Sequence, residues 1–506
     1  MANSSGYSAY MSKNISKYLH KDMDKQAGLK HSIKRTKIVA TVGPACSTYD
    51  QLLSLVKAGV NVFRLNFSHG SYEDKANIIE LIREINKNEP YNLAILGDLQ
   101  GPKLRVGDLE NGFIELKPND EIIFTTEKVI GTKERIYVSY PNLTKDLKFG
   151  ERIFLDDGKM EVKVVEILND KDIKISVTLG GTLLPKKGVN LPDSALTMPS
   201  LTEKDIADLD FIIEQKLDWV ALSFVRHADD IIELKKRIKE KNSKIKTISK
   251  IEMPEALKNI RDIIVQSDGI MIARGDLGVE VPIEKVPIIQ KEIILKCMHR
   301  AKPVIVATQM MESMMERTKP NRSEVTDVAN AVLEGADAVM LSGETAMGKY
   351  PTLVVETMSK IILEAESNAY NYDRDDVLIP QSHSPSILSD AVCYSACKIA
   401  KDVDADALVG MTQSGYTAFM LSSYRPKVPL FVFSKERTLI NQLSLSWGVR
   451  AFYYGEEESL DDIFFDQINI LKERGFLHSG NVVVNTGSTP VNLHLPTNLL
   501  KVTIVE

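Results

Sequence analysis

Charged residues follow short apolar segments at several places in the chain, and one of these places spells Arg-Gly-Asp. The stretch "DGIMIARGDLGVEVP" spans residues 268–282, and its run 270–273 is typical of a strand buried on both faces. Arg274, Gly275 and Asp276 follow that run directly. The tripeptide occurs on exposed loops of adhesion ligands, but charge at the end of a core strand more often serves chemistry. We therefore interpret it as part of a site.

Comparable residues follow several other apolar segments. They are Arg64, Asn66 and Ser68; Asp98; Ser223; Lys250 and Glu252; Thr308; and Ser342 with Glu344. Arg64, Asn66 and Ser68 alternate along the chain, as do Lys250 and Glu252, so each set points to one side of its strand. The alternative interpretation is a rim of ordinary charges that pair with one another.

Two carboxylates, a lysine and an arginine suit the transfer of a phosphoryl group. Mg²⁺ typically takes one or two carboxylates and shares substrate phosphate oxygens, a role that fits Glu252 and Asp276. Lys250 and Arg64 would place positive charge where negative charge develops on the moving group. Because no covalent nucleophile is evident at a strand end, we predict metal-assisted phosphoryl transfer on a small anionic substrate.

Eight apolar segments, separated by stretches with helical spacing, must position these residues. They are KIVATVG (37–43), VNVFRLNFSH (60–69), LAILGDL (93–99), WVALSFV (219–225), KTISKIE (246–252), GIMIARGD (269–276), PVIVATQM (303–310) and AVMLSG (338–343). Ser71 with Asp74 and Thr202 with Asp205 have the spacing of helix-capping pairs. Eight such units predict an α/β fold, a (β/α)8 TIM barrel, whose strand ends share one opening.

The connection after the third segment is far too long for a loop. Alternating segments such as EIIFTTE, RIYVSY, RIFLDDG, EVKVVEIL and IKISVTL lie within it, which predicts an inserted small β-barrel domain. Strands and helices alternate again after residue 386, which indicates a C-terminal α/β sandwich domain. The predicted domains are an N-terminal arm (1–33), the barrel (34–101 and 199–370), the inserted lid (102–198) and the C-terminal domain (371–506).

Composition and charge exclude several classes of protein. The 506 residues are 43% hydrophobic and 26% charged, which is ordinary for a soluble globular protein, and the net charge of −6 gives no general attraction to nucleic acid or anionic membranes. An apolar run of about 18 residues, which a transmembrane helix needs, is absent. The first 26 residues lack a signal-peptide core, so we expect a cytoplasmic protein whose N-terminus is an arm rather than a weak targeting leader.

The ordered motifs of the chain resemble those of the pyruvate kinase family. They are "KIVATVGPAC", "VNVFRLNFSHG", "GPKLRVG", "KKGVNLP", "WVALSFVR", "TISKIEMPEAL", "IMIARGDLGVE" and "VIVATQMMESM". The resemblance implies transfer of a phosphoryl group from phosphoenolpyruvate to ADP, giving pyruvate and ATP with Mg²⁺ or Mn²⁺. A phosphoenolpyruvate enzyme that uses no nucleotide and an inactive metabolite-sensing barrel are the alternatives.

The resemblance also implies a role for each matching residue. Lys250 would stabilise the enolate-like transition state, Arg64 would bind the phosphoryl group, and Thr308 would lie near the carbon that is protonated. Glu252 and Asp276 would hold the metal, and the N–H groups of Gly275 and Asp276 the substrate carboxylate. The residues implied in nucleotide binding are Asn66, His69, Arg105 and Lys187.

One departure concerns a monovalent ion. Members that need K⁺ usually carry Asp-Thr-Lys-Gly-Pro-Glu, whereas this chain has Asp-Leu-Gln-Gly-Pro-Lys at 98–103. A monovalent-ion site would be formed by Asn66, Ser68, Asp98 and Leu99. Lys103 would place a fixed ammonium there, so we expect K⁺-independent activity, the alternative being an exposed hinge lysine.

The C-terminal segment "TQSGYT" follows a strand and opens a helix, an arrangement that can cradle phosphate. The resemblance implies that this loop binds the phosphate of an allosteric effector, and helix capping by Ser414 is the alternative. The residues concerned are Thr412, Gln413, Ser414, Gly415 and Thr417. The partner loop "NTGSTPVNLHLPTN" departs from the usual glycine-rich pattern, so a sugar or nucleotide monophosphate and a bisphosphate remain open. A homotetramer is expected from the resemblance alone.

Overall fold

A computed structural model describes residues 34–194, 196–368, 380, 386–455, 459–490 and 495–506. The predicted N-terminal arm lies outside these residues. The described chain forms two compact units, one spanning 38–356 and the other combining 34–37 with the described part of 357–506. No helix in this part of the chain is both long enough and apolar enough to cross a bilayer.

The larger unit begins with three buried parallel strands and their helices. The elements are β1 (Lys37–Thr41), α1 (Tyr49–Ala58), β2 (Val62–Asn66), α2 (Tyr72–Asn88) and β3 (Ala94–Asp98). All five residues of β1 and of β3 are buried, as expected of strands that are covered on both faces.

An all-β domain is inserted after β3. Its strands are β4 (Ile114–Leu116), β5 (Glu121–Thr125), β6 (Arg135–Tyr137), β7 (Arg152–Leu155), β8 (Met160–Ile167), β9 (Asp172–Leu179), β10 (Gly181–Leu183) and β11 (Val189–Asn190), with a 3-10 turn at Glu110–Gly112 and a short α-helix, α3 (Leu143–Asp146). They form a six-stranded sheet and a two-stranded sheet around a separate apolar core. We call this insertion, residues 102–198, the lid domain.

The chain then returns to complete the barrel. The remaining elements are α4 (Glu203–Glu214), β12 (Trp219–Leu222), α5 (Ala228–Glu240), β13 (Lys246–Ile251), α6 (Pro254–Lys258), α7 (Ile260–Gln266), β14 (Gly269–Ala273), α8 (Arg274–Glu280), α9 (Val286–Met298), β15 (Val304–Ala307), α10 (Arg322–Glu334), β16 (Ala338–Leu341), α11 (Gly343–Ala346) and α12 (Pro351–Ser367).

The eight predicted barrel strands form one closed barrel. Its order is β1-β16-β15-β14-β13-β12-β3-β2, and Gly97 of β3 pairs with Val220 of β12. The lid domain is therefore inserted between two neighbouring strands, so it interrupts the sequence of the barrel without interrupting its hydrogen bonding. The predicted TIM barrel is confirmed.

The C-terminal part of the chain is an α/β sandwich, as predicted. Its elements are α13 (Ile387–Asp402), β17 (Ala407–Met411), α14 (Tyr416–Ser423), β18 (Leu430–Ser434), α15 (Arg437–Gln442), β19 (Val449–Tyr453), α16 (Leu460–Glu473), β20 (Val482–Gly487) and β21 (Leu499–Ile504). The sheet order is β19-β18-β17-β20-β21, with only β21 antiparallel to its neighbour. Leu430 and Val432 pack in one apolar cluster, whereas Phe431 and Phe433 pack in another, so both faces of β18 are covered.

Both predicted capping pairs are present, and one of them also supports the lid entrance. Ser71 and Asp74 form a capping box at the exposed start of α2, and Thr202 and Asp205 form a capping box at the start of α4. Asp205 is fully buried, and its Oδ1 also accepts a hydrogen bond from Gly101 N–H at 3.0 Å. Gly101 has φ +68°, a left-handed conformation that favours glycine. One carboxylate thus holds both a barrel helix and the turn into the lid domain.

We predict that Asp205→Ala destabilises the protein much more than Asp74→Ala. Loss of the exposed Asp74 removes only its capping contacts with Ser71. Loss of Asp205 additionally leaves the buried Gly101 N–H without its acceptor, at a cost of about 1–3 kcal/mol more. Urea unfolding and hydrogen–deuterium exchange of peptides around residue 101 would measure both effects. Equal destabilisation by the two variants, with unchanged exchange at 101, would contradict this reading.

Candidate active site

Lys250 is the centre of a buried cluster of charges at the end of β13. Its Nζ donates to Ser223 Oγ at 2.6 Å and lies 3.0 Å from Glu252 Oε1 and 3.3 Å from Asp98 Oδ1. Burial alone would lower the pKa of Lys250, but Asp98 and Glu252 raise it above the usual value for lysine. The side chain is therefore a permanent cation with its position fixed by three neighbours.

Asp98, at the end of β3, is shared between two cations. Arg64 Nε donates to Asp98 Oδ2 at 2.6 Å, while Lys250 approaches the other oxygen. Burial alone would raise the pKa of Asp98, but Lys250 and Arg64 lower it below the usual value. The predicted convergence of residues from β2, β3 and β13 is thus present, and the carboxylate stays ionised.

Glu252 is a buried carboxylate with unused bonding capacity. Its Oε2 accepts a hydrogen bond from Phe224 N–H at 2.7 Å, whereas Oε1 has ion-pair contact with Lys250 but no hydrogen bond of proper geometry. Burial raises the pKa of Glu252, and the nearby Asp276 raises it further. A cation beside these two carboxylates would favour their ionised forms, so the donor set fits a hard divalent ion.

The described residues contain no group of three or more His, Cys, Asp or Glu side chains that could hold a metal by themselves. Two carboxylates are nevertheless the usual protein share of a Mg²⁺ site, because substrate phosphates and water supply the other ligands.

Asp276 also lies 3.6 Å from Lys103 Nζ, at the entrance to the lid domain.

Thr308 follows β15 in a conformation that is rare for its type. Its φ is +71°, and the next residue, Gln309, has φ +55°. The Thr308 hydroxyl accepts a hydrogen bond from Gly275 N–H at 2.7 Å, so the first turn of α8 and the end of β15 are joined. Gly275, Asp276 and Thr308 therefore lie at one edge of the barrel, as the sequence predicts.

The two lid residues predicted to bind nucleotide contact their own domain. Arg105 Nη1 donates to the Lys186 carbonyl at 2.9 Å, and Lys187 Nζ lies 2.9 Å from Asp156 Oδ1. On β2, Asn66 Oδ1 accepts a hydrogen bond from Ser68 N–H at 3.0 Å. His69 is exposed just beyond it. The structure places these residues but gives no direct contact between the lid pair and the Lys250 cluster among the described hydrogen bonds and ion pairs.

Glu344, read from the sequence as a strand-end acid, has a structural use. Its buried carboxylate accepts hydrogen bonds from Ser342 N–H at 2.7 Å and from Met311 N–H at 3.2 Å. It therefore ties the loop after β15 to the loop after β16.

Sequence reasoning missed Thr41 at the end of β1. Its Oγ1 accepts a hydrogen bond from Arg64 Nη1 at 2.9 Å and donates to the Leu341 carbonyl at 2.9 Å. A polar residue that ends the buried strand KIVAT is the available signal, because polar residues at the ends of the other barrel strands mark the same opening.

A second missed contact joins the lid domain to the barrel. Asn190 Nδ2, on β11, donates to Glu280 Oε1, at the end of α8, with a distance of 2.7 Å. Burial raises the pKa of Glu280 to about 7. Nothing in the local sequence pairs these two residues, because they are far apart in the chain.

In the C-terminal sandwich, the "TQSGYT" loop lies between β17 and α14 as predicted. Thr412 Oγ1 accepts a hydrogen bond from Gly415 N–H at 3.0 Å, and Gly415 has φ +89°. Gln413 and Ser414 are exposed, and the Thr417 hydroxyl is 2.6 Å from that of Thr497. Residues 491–494 of the predicted partner loop lie outside the described residues.

The fold and this cluster define a (β/α)8 barrel with paired charges at its opening, as in the barrel enzymes. Comparisons with known proteins identify the family. Residues 33–355 match the family model "Pyruvate kinase, barrel domain", and residues 390–503 match "Pyruvate kinase, alpha/beta domain".

Individual relatives agree over nearly the whole chain. A pyruvate kinase of Geobacillus stearothermophilus is 41% identical over 477 residues, which are 94% of this chain and 81% of that protein. One from Clostridium perfringens is 40% identical over 473 residues, 93% of this chain and 99% of that protein. The crystal structure of a pyruvate kinase from Cryptosporidium parvum aligns with a TM-score of 0.89 at 35% identity, covering 96% of this chain and 100% of the other. The chain belongs to the pyruvate kinase family, whose members are phosphotransferases.

Proposed function

We propose that the protein transfers the phosphoryl group of phosphoenolpyruvate to ADP in a Mg²⁺-dependent reaction. The ester O–P bond breaks, a β-phosphate oxygen of ADP takes the phosphoryl group, and the enolate left behind gains a proton on carbon to become pyruvate. The observation that carries the proposal is the Arg64–Asp98–Lys250–Glu252 cluster, because it fixes two cations beside a carboxylate that has unused bonding capacity.

Each residue of the cluster has a task in this proposal. Arg64 binds the phosphoryl oxygens, and Lys250 stabilises the charge that develops on the bridging and enolate oxygens. Glu252 and Asp276 would hold the metal ion, which neutralises phosphate charge when it is bound. Asp98 does not meet the substrate but keeps both cations in place.

Residues at the edge of the barrel would bind the rest of the substrate. The N–H groups of Gly275 and Asp276 face the substrate carboxylate, which would replace the Thr308 hydroxyl as acceptor for Gly275. The freed hydroxyl of Thr308 would then lie near the carbon that is protonated. Arg105 and Lys187 would reach the nucleotide, together with Asn66 and His69, when the lid domain closes. A cytoplasmic homotetramer is the expected form of the enzyme.

We predict that Lys250→Met lowers turnover by at least about 100-fold, because the cation that stabilises the transition state is lost. Pyruvate formation can be followed with lactate dehydrogenase and NADH. Lys296→Met removes a half-buried lysine that pairs with Glu292 on the outside of the barrel helix α9 and should retain full activity. Pyruvate formation without ADP would favour an enzyme that uses no nucleotide. Equal turnover by Lys250→Met and the parent, or none by either, would contradict the proposal.

We also propose that activity does not need K⁺. Among the oxygens that could bind such an ion, the Leu99 carbonyl already accepts from Ser223 Oγ at 2.7 Å, and both oxygens of Asp98 face cations. The Lys103 ammonium lies 3.6 Å from Asp276, and a unit charge at about 4 Å contributes on the order of 4 kcal/mol at an effective dielectric near 20. No described hydrogen bond or ion pair joins Lys103 to Asn66, Ser68, Asp98 or Leu99, so we propose that its ammonium supplies the electrostatic help of the ion from beside Asp276.

We predict that replacing K⁺ and Na⁺ by tetramethylammonium changes saturated turnover less than about tenfold. Lys103→Gln should lose more than that in tetramethylammonium and regain part of it in K⁺, whereas Lys103→Arg should behave like the parent. Strong K⁺ activation of the parent would contradict this part of the proposal.

The C-terminal loop at 412–417 is proposed to bind a phosphorylated effector. Gln413 and Ser414 are exposed just before α14, so the Ser414 hydroxyl is accessible to a phosphate there. The alternative, helix capping by Ser414, has weak support, because the hydrogen bond from Tyr416 N–H to Ser414 Oγ is long, at 3.4 Å.

We predict that calorimetry detects binding of at least one of glucose 6-phosphate, AMP and fructose 1,6-bisphosphate, and that Ser414→Asp abolishes it by charge repulsion. Ser459→Asp, at the exposed start of α16, adds the same charge to another helix N-terminus and should bind like the parent. If Ser414→Asp binds the phosphates as well as the parent does, the effector site lies elsewhere. If the parent binds none of them, the proposal is wrong and the loop serves only to start α14.

A further inference from the structure

Arg274 begins the Arg-Gly-Asp tripeptide but has no part in the proposed chemistry. Its side chain turns from the end of β14 towards α10 and the loop after β15. Nη1 and Nη2 lie 2.6 and 2.7 Å from the two carboxylate oxygens of Asp327, on α10. Nη1 also approaches Gln290 Oε1, on α9, at 3.4 Å. The Arg274 side chain is only 12% exposed, and its contacts with three elements of the barrel fix its orientation.

The same guanidinium holds the backbone of Thr308. Arg274 Nη2 donates to the Thr308 carbonyl at 2.8 Å, and Nε approaches the Ala307 carbonyl at 3.4 Å. Gly275, the next residue, donates its N–H to the Thr308 hydroxyl. Two adjacent residues of the tripeptide therefore contact Thr308, and the bond from Arg274 to its carbonyl would persist when the substrate carboxylate takes the Gly275 N–H.

Thr308 needs such support because of its backbone conformation. Left-handed φ values are unusual for a β-branched residue, and here Thr308 and Gln309 adopt them in succession. Without a fixed donor at its carbonyl, the Thr308 peptide could relax towards the ordinary β region. The hydroxyl would then leave the barrel edge at which Gly275 and Asp276 lie.

We infer that Arg274, oriented by Asp327, is a positioning residue that keeps the Thr308 hydroxyl at the reacting carbon. The inference rests on the role proposed above for Thr308 in protonating the enolate. The Arg274–Asp327 pair thereby acts on the protonation step and leaves binding of the substrate phosphate to Arg64 and Lys250. Arginine is required because lysine cannot bind Asp327 through two bonds and the Thr308 carbonyl through another.

The test compares Arg274→Met, Arg274→Lys, Asp327→Asn, Thr308→Ala and the double variant Arg274→Met/Thr308→Ala. We expect Arg274→Met to lower kcat by about 10- to 100-fold with KM for phosphoenolpyruvate changed less than about threefold, because a small misplacement of a reacting group has effects of that size. Arg274→Lys should recover only part of the loss. Arg237→Met, which removes an arginine paired with Glu233 on α5, is the matched control and should keep the parent's kcat.

The double variant separates positioning from general destabilisation. If Arg274 acts through Thr308, the double variant should be within about twofold of Thr308→Ala alone, since the positioned group is already absent. Exchange of the methyl protons of pyruvate with D₂O, followed by NMR, should fall in Arg274→Met as much as kcat does, because it reverses the protonation step. If the kcat losses of the two single variants multiply in the double variant, or if Arg274→Met changes KM alone, the inference is overturned.

The outcomes also distinguish the inference from the proposed function. Full activity of Thr308→Ala would remove the role of Thr308 and the inference with it. Impaired Thr308→Ala beside unimpaired Arg274→Met would overturn the inference only. Should Arg274→Met not fold, Asp327→Asn retains the guanidinium but loses its charged partner. The kcat of Asp327→Asn should then fall about 3- to 30-fold, and combining Asp327→Asn with Thr308→Ala should lower kcat no further than Thr308→Ala alone. If Asp327→Asn keeps the parent's kcat, the inference is overturned.

Discussion

The site depends on one constraint: the Lys250 ammonium is largely buried and must be neutralised by two carboxylates, one from another strand and one just beyond the end of its own strand. Asp98 and Glu252 meet this need, and Asp98 also pairs with Arg64. Buried ion pairs of this kind seldom add net stability, because the cost of removing charges from water offsets their attraction. Their presence at the opening of a barrel is therefore better explained by the charge that the substrate brings.

Closure of the barrel is what allows the constraint to be met. β2, β3 and β13 are separated along the chain, and an entire lid domain lies between β3 and β12. Because these two strands are neighbours in the closed sheet, Asp98 comes within reach of both Arg64 and Lys250. The lid domain is attached at the same edge, through the Gly101 turn held by Asp205 and through the contact between Lys103 and Asp276.

The sequence predicts the parts of this arrangement that follow from periodicity. Buried runs such as AILGD and KTISKI mark the strands, and the residues that end them mark the opening. The contacts that it could not predict depend on side-chain direction and on distant pairs. Arg274 ends a strand like Lys250 does, yet it turns to Asp327. Glu344 binds backbone N–H groups, and Asn190 meets Glu280 across the lid boundary. Rotamer choice and domain packing decide these cases, and neither leaves a periodic signal.

The most direct test of the account is a crystal structure with Mn²⁺, measured at the manganese absorption edge to locate the metal by anomalous scattering. We predict a peak within coordination distance of both the Glu252 and Asp276 carboxylates, with Lys250 and Arg64 still directed at Asp98. A peak at another place, with Glu252 and Asp276 uncoordinated and the Lys250 and Arg64 side chains turned away from Asp98, would contradict this prediction.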